Sequence, residues 1–363
     1  MRAIQLDTDL EGPLALNDNA FELCREFIQP QGAKFFKQVS RYDDYLADLV
    51  KQPGYKAGDT LKFILPFLKA YGVTNEQIRE FSNKTIKLVP GVEKTYGFLR
   101  RQGFPIFAIS ASYRQFAEAV GKKLGFDAAH LFSTELDLDK YVLAAAEAEE
   151  LRRLQEEIAA APEIELPPEA ASLEDLPEPV REALALCGRT FQEAVPGMDI
   201  GRIYREVNVV GGGEKVQAME ESLARTGVKM ADAMYVGDSI TDVQAFHTVG
   251  AAGGLGLSFN GNHYAVNAAE VVVVADSAWP VALLACVFRQ WGKDGVLELA
   301  APESPDKPRT IVLPDAVIEP IARGLHGRGF NLYLSSHPDL KRIIKESAEM
   351  RVRLRGGAVA ELG

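Results

Sequence analysis

The chain has 363 residues, 47% of them hydrophobic and 25% charged, and its 40 Lys and Arg against 51 Asp and Glu give a formal net charge of −11. This is ordinary globular composition, which excludes extended disorder, collagen-like repeats and a disulfide scaffold, and at about 150 residues per domain the length suggests about two domains. The acidic balance disfavours nucleic acid as a partner, and the longest strongly apolar stretches, Val271 to Ala275 and Val281 to Phe288, fall well short of the ~20 residues a membrane-spanning helix needs.

The opening, MRAIQLD, carries neither an apolar h-region nor a small-residue cleavage site, so a cytoplasmic protein is expected. AIQL (3–6) reads as a strand and runs into LDTDLEGPL, which sets Asp7, Asp9 and Glu11 within five residues at its carboxyl end. NAFELCREFI and TLKFILPFLKAYG follow with amphipathic helical spacing. The helical VEKTYGFLRRQG leads to a second strand, FPIFAIS (104–110), which ends on Ser110. YVLAAAEAEELRRLQEEIAAA has Leu143, Leu151, Leu154 and Ile158 at helical spacing and reads as an amphipathic helix. PEIELPPEAASLEDLPEPV then carries five prolines, which break helices and central strands, so the two together read as an insertion or linker and not as core. Residues 147–182 hold twelve acids and three bases, a local −9, and read as a second lid, a docking surface for a protein partner or a solvated spacer. The helical EKVQAMEESLARTG opens on Lys215 after three glycines, and AMYVG (233–237) is a strand ending at GDSITDV, with Asp238 and Asp242. EVVVV (270–274) is a further strand. Beyond residue 290, PRTIVLP, IEPIARGLHGRG, FNLYLSS and DLKRIIKESAEM suggest a small α/β extension without a catalytic motif. Residues 323–355 carry eight bases and three acids, so a contact with the acidic insertion is one inference from charge.

Short apolar runs alternating with amphipathic helices imply a parallel sheet covered on both faces. Ligands bind such sheets where the strands' carboxyl ends open to the loops. Acids clustered there at two strand ends repel one another unless a cation neutralises them, and carboxylate with carbonyl oxygen suits Mg²⁺. A hydroxyl (Ser110) and an ammonium (Lys215) aimed at the same opening are what a phosphoryl group requires. Cys24, Cys187 and Cys286 fit no ligand pattern and read as buried thiols, and the five histidines lack the i, i+4 spacing of a zinc site.

In order and context these segments resemble the haloacid dehalogenase-like (HAD) phosphohydrolases, over about residues 1–140 and 205–290. DLEGPL is similar to the first motif, DxDGTL; SASY resembles the SGGF of phosphoserine phosphatases; Lys215 matches the third motif and GDSITD the fourth, commonly GDGxND. The stretch GLGLSFNGNHYAVNAAEVVV looks like the segment after the fourth motif, where a loop with Asn260 and Asn262 precedes the last core strand. The first motif allows two registers. With Asp9 as nucleophile, Glu11 takes the acid/base position and Gly12 and Leu14 match; with Asp7 as nucleophile, Asp9 is the acid/base but Leu10 and Glu11 fall on positions of small or hydroxyl residues. The Asp9 register is preferred. A similar Asp-x-Glu-Gly motif occurs in phosphoserine:homoserine phosphotransferase and in archaeal proteins known as energy-converting hydrogenase A subunit R, the nearest resemblance.

The resemblance implies a Rossmann-like α/β core (1–16, 88–140 and 205–290), a helical cap (17–87), the acidic helical and Pro-rich insertion (141–204) at the family's other cap position, and the C-terminal α/β extension (291–363). It implies Mg²⁺ held by Asp9, the backbone carbonyl of Glu11 and Asp238, with Asp242 in support, Ser110 and Lys215 on the phosphoryl group, and Glu11 as acid and then base. Arg25, Arg41 and Arg114 are candidates for a substrate carboxylate or second phosphate. The function expected is a Mg²⁺-dependent phosphatase of a small phosphorylated metabolite. The alternatives are a phosphotransferase to an acceptor hydroxyl and a non-catalytic subunit of a hydrogenase-type complex.

Overall fold

The structure, a computed structural model, describes residues 2–51, 55, 57–167, 170–302 and 312–360. Seven strands form one sheet in the order β3-β2-β1-β4-β5-β6-β7: β1 (Gln5–Thr8), β2 (Ile106–Tyr113), β3 (Leu131–Thr134), β4 (Ala233–Gly237), β5 (Leu255–Phe259), β6 (Val271–Ala275) and β7 (Phe330–Leu334). The first six run parallel and β7 adds antiparallel to β6, from Val271 opposite Leu334 to Ala275 opposite Phe330. The expected α/β fold is therefore present, and the C-terminal extension continues the core sheet.

Side chains leave a strand on alternate faces, and each face has its own core. On β4, Met234 and Val236 join one apolar layer with helices Val92–Arg101 and Trp279–Ala300. Ala233 and Tyr235 join the opposite layer with Met219 and Phe246, from helices Gly213–Thr226 and Val243–Ala251. Two strands escape the sequence reading. LFST in β3 is only four residues long, and LGLSF in β5 follows two glycines and precedes the loop with Asn260 and Asn262. Within PRTIVLP of the expected C-terminal extension, residues 308–311 lie outside the described residues. Among the described residues no helix is long and apolar enough to cross a membrane.

The reading of residues 141–204 as a linker outside any core is overturned. Leu151, Leu154 and Ile158 of helix Ala145–Ala160 are buried in one apolar cluster with Phe35, Val39, Phe67 and Leu68 of the helices between the first two strands. The Pro-rich half contributes Ile164, Leu176, Val180 and Leu184 to the same cluster. Gln38 ties the two segments: its amide nitrogen donates to the Pro162 carbonyl at 2.8 Å and its oxygen accepts from the Ile164 amide at 2.9 Å. The acids occupy the outer faces, so their charge conceals an apolar inner side.

Candidate active site

The carboxyl ends of β1, β2 and β4 meet at one cleft beneath the helices between β1 and β2. Asp9 follows β1, and its amide donates to the Val236 carbonyl on β4 at 2.7 Å, which fixes the backbone across the two strand ends. Asp242 lies in the turn after β4 and shapes it. One of its oxygens accepts from the amides of Asp238 and Ser239, both at 2.9 Å, and the other accepts from the Tyr235 hydroxyl at 2.7 Å. Lys215, in the first turn of helix Gly213–Thr226, is fully buried and bridges two acids, donating to Asp9 at 2.5 Å and to Asp242 at 2.6 Å. One oxygen from each of Asp9, Asp238 and Asp242 lies within 4.8 Å of the others. Gly12 makes this approach possible. Its φ is +93°, and a Cβ there would stand 2.2 Å from Cγ of Asp238.

The electrostatics follow from burial. Asp9 is pushed up to about 7, chiefly by desolvation, with Lys215 opposing and the charges of Asp242 and Asp238 adding. Burial also raises Asp242, but the Lys215 ammonium and the donors around it outweigh that, so its carboxyl lies below the ordinary value. Burial and the charge of Asp18 push Glu11 well above the usual carboxylate range, against the Asn19 amide and Arg355. The Asn19 amide donates to Glu11 at 2.7 Å.

The structure thus brings together Asp9, Glu11, Ser110, Lys215, Asp238 and Asp242. Ser110, inside β2 and three residues before its last residue Tyr113, lines the cleft and shares a 2.9 Å hydrogen bond with Ser112. Asp7 stands elsewhere. It is fully buried in β1 and accepts from Gln5 at 2.8 Å and from Ser222 at 3.1 Å. Arg41 pairs with Asp44, Arg114 pairs with Glu118 and Glu135, and Arg25 lies over the Phe21 ring; none of the three lines the cleft. The cleft encloses about 100 Å³ and is roofed by Phe36, Ser40, Asp43, Thr60 and Leu61.

The C-terminal segment, read as a small extension without a catalytic motif, reaches the cleft. Helix Leu340–Arg355 turns one stripe inward at i, i+4 spacing: Ile343 and Ser347 are buried, and Arg351 and Arg355 enter the cleft. Arg351 donates to Oδ2 of Asp238 at 2.5 Å and Arg355 donates to the same atom at 3.1 Å. The signal was the apolar Ile343 and small Ser347 preceding two arginines on one face, a pattern easily taken for a solvated edge.

The donor set fits Mg²⁺: the acids offer hard carboxylate oxygens, and Gly12 leaves Asp238 room to approach. No protein-family model matches the chain, and no curated protein is similar to it. Among solved structures it is similar to gene product AF1437 from Archaeoglobus fulgidus at 30% identity and a TM-score of 0.78, covering 100% of this chain and 99% of that one. A substrate-bound phosphoserine phosphatase is similar at 15% identity and a TM-score of 0.45, over 75% of this chain and 93% of that one. A HAD family hydrolase, t0658 from Salmonella enterica serovar Typhi, is similar at 12% identity and a TM-score of 0.43, over 72% of this chain and 65% of that one.

Proposed function

The chain belongs to one family with gene product AF1437 from Archaeoglobus fulgidus, and we propose that it is a HAD-type phosphohydrolase that cleaves the phosphate monoester of a small metabolite through an aspartyl-phosphate on Asp9. The convergence of Asp9, Ser110 and Asp238 on one cleft, with Lys215 and Asp242 buried against Asp9 from two further points of the chain, carries this reading. A site of no use has no reason to hold a fully buried lysine between two acids.

A carboxylate oxygen of Asp9 attacks phosphorus as the bond to the leaving oxygen breaks. Glu11, whose carboxyl is held by burial well above the usual carboxylate range, gives a proton to the leaving oxygen. It then takes a proton from the water that attacks phosphorus, which frees Asp9 and releases phosphate. Lys215 and Ser110 hold the phosphoryl oxygens, and Asp242 keeps Lys215 charged and the Asp238 turn in shape. Asp9, Asp238 and the Glu11 carbonyl would hold Mg²⁺, which supplies electrostatic stabilisation to the anionic phosphoryl group. The roof of Phe36, Ser40, Asp43, Thr60 and Leu61 over the cleft favours a compact substrate.

The test is phosphate release from a panel of phosphorylated metabolites with Mg²⁺, with and without acceptor alcohols. Asp9→Asn is expected to lower turnover at least about 10³-fold and Glu11→Gln about 10²- to 10⁴-fold. Transfer to an added alcohol in preference to water would make the protein a phosphotransferase. No release from any substrate, together with no binding of Mg²⁺ or of a phosphate analogue, would sink the enzyme reading in favour of an accessory subunit.

A further inference from the structure

The cations around the acid cluster come from two parts of the chain. Lys215 belongs to the core and pairs with Asp9 and Asp242. Arg351 and Arg355 belong to the C-terminal helix, and both pair with Oδ2 of Asp238. Their side chains are only 3% and 8% exposed, so these charges are poorly screened by water. The helix is seated by further bonds. Ser347 donates to the Gly261 carbonyl at 2.6 Å, Arg351 also donates to the Asp238 carbonyl at 3.1 Å, and Arg355 donates to the carbonyls of Leu16 at 3.1 Å and Asn17 at 2.7 Å.

Both guanidiniums therefore sit on one carboxylate oxygen of Asp238, in a cleft whose other acids include Asp9, Glu11 and Asp18. A divalent cation approaching Asp238 alone meets two positive charges already resident on that oxygen. A phosphoryl dianion entering alone meets the carboxylates of the cleft. Entering together each offsets the repulsion the other meets, with the cation on Asp238 and the dianion near the guanidiniums, which are built to hold phosphate oxygens.

We propose, building on the phosphohydrolase reading, that Arg351 and Arg355 are positioning residues that act as resident counterions of Asp238 and so make the divalent cation and the phosphoryl group bind jointly. Each ligand raises the affinity for the other, by the same factor in both directions. The C-terminal helix thereby supplies a part of the active site that the four motifs lack.

Calorimetry on the full chain tests this, with Mg²⁺ titrated in the absence and presence of inorganic phosphate and phosphate titrated with and without Mg²⁺. In the wild type, phosphate is expected to tighten Mg²⁺ binding at least about 10-fold, within the usual range of coupling between sites. In Arg355→Gln, Mg²⁺ alone should bind at least several-fold tighter and the coupling should shrink, while Arg355→Lys, which keeps the charge, should retain most of it. Arg351→Gln should act in the same direction, and thermal melting identifies a variant that has merely unfolded. Wild-type protein that binds Mg²⁺ and phosphate independently, or a coupling unchanged in Arg355→Gln, overturns the proposal and leaves the phosphohydrolase reading standing. A wild type that binds neither ligand overturns both.

Discussion

Asp7 and Asp9 are two residues apart at one strand end, and their surroundings separate their roles. Asp9 faces Lys215 and the acids of the cleft, whereas Asp7 is enclosed in the sheet with two neutral donors, Gln5 and Ser222. Without a cationic partner, burial pushes the Asp7 carboxyl up to about 7. The sign follows from linkage: a raised pKa means the fold holds the proton more tightly than the unfolded chain does, so this contribution to stability is full below about pH 4 and lost as pH rises through about 7. Asp7→Asn, which keeps the shape without the charge, should therefore flatten the stability–pH curve between those limits. Above pH 7 it should stabilise the protein by a few kcal/mol, since each pKa unit is worth about 1.4 kcal/mol. Urea unfolding at pH 4 and pH 8 measures this, and a variant as pH-sensitive as the wild type would count against it. Gly12→Ala would push a Cβ into the Asp238 carboxylate and force a residue other than glycine to a φ of +93°. It should cost about 1–3 kcal/mol of stability and weaken Mg²⁺ binding at least 10-fold, as read by calorimetry. The site acids were legible in the sequence because they cluster just after two short apolar runs, AIQL and AMYVG. Arg351 and Arg355 were not, since arginines near a chain's end read as solvated until a helix is seen to turn them inward.

At the scale of elements, the acidic insertion shows how charge can mislead. Helix Ala145–Ala160 keeps Arg153 on its outer side, paired with Glu150 and Glu157, and buries Leu151, Leu154 and Ile158 against the helices between β1 and β2. Its apolar spacing was readable, but the partner for that spacing was not, because the contacts join residues from 82 to 120 positions apart. The same limit hid β3 and β5, whose short runs become strands only by pairing with β2 and β4. Leu151→Ala should destabilise by about 2–5 kcal/mol, the usual result of opening a cavity in a packed core. A urea midpoint unchanged from the wild type would restore the spacer reading of the insertion.

Over the whole molecule, the net charge of −11 is concentrated, with −9 from residues 147–182. Charge alone pairs the basic C-terminal segment with that insertion, yet the structure turns Arg351 and Arg355 to Asp238. The parallel core was legible because its strands and helices alternate locally, whereas the return of residues 330–355 to the sheet edge and then to the cleft is set by long-range packing. The whole arrangement, with the helices between β1 and β2 as roof, sheet as floor and C-terminal helix as wall, encloses the Asp9 carboxylate. Its most direct test needs no knowledge of the substrate: beryllium fluoride, which mimics a phosphoryl group on a carboxylate, is titrated into the protein with Mg²⁺ and followed by ¹⁹F NMR. The account predicts Mg²⁺-dependent bound resonances in the wild type and in Asp7→Asn and none in Asp9→Asn; bound resonances that survive in Asp9→Asn, or that are missing from the wild type, would contradict it.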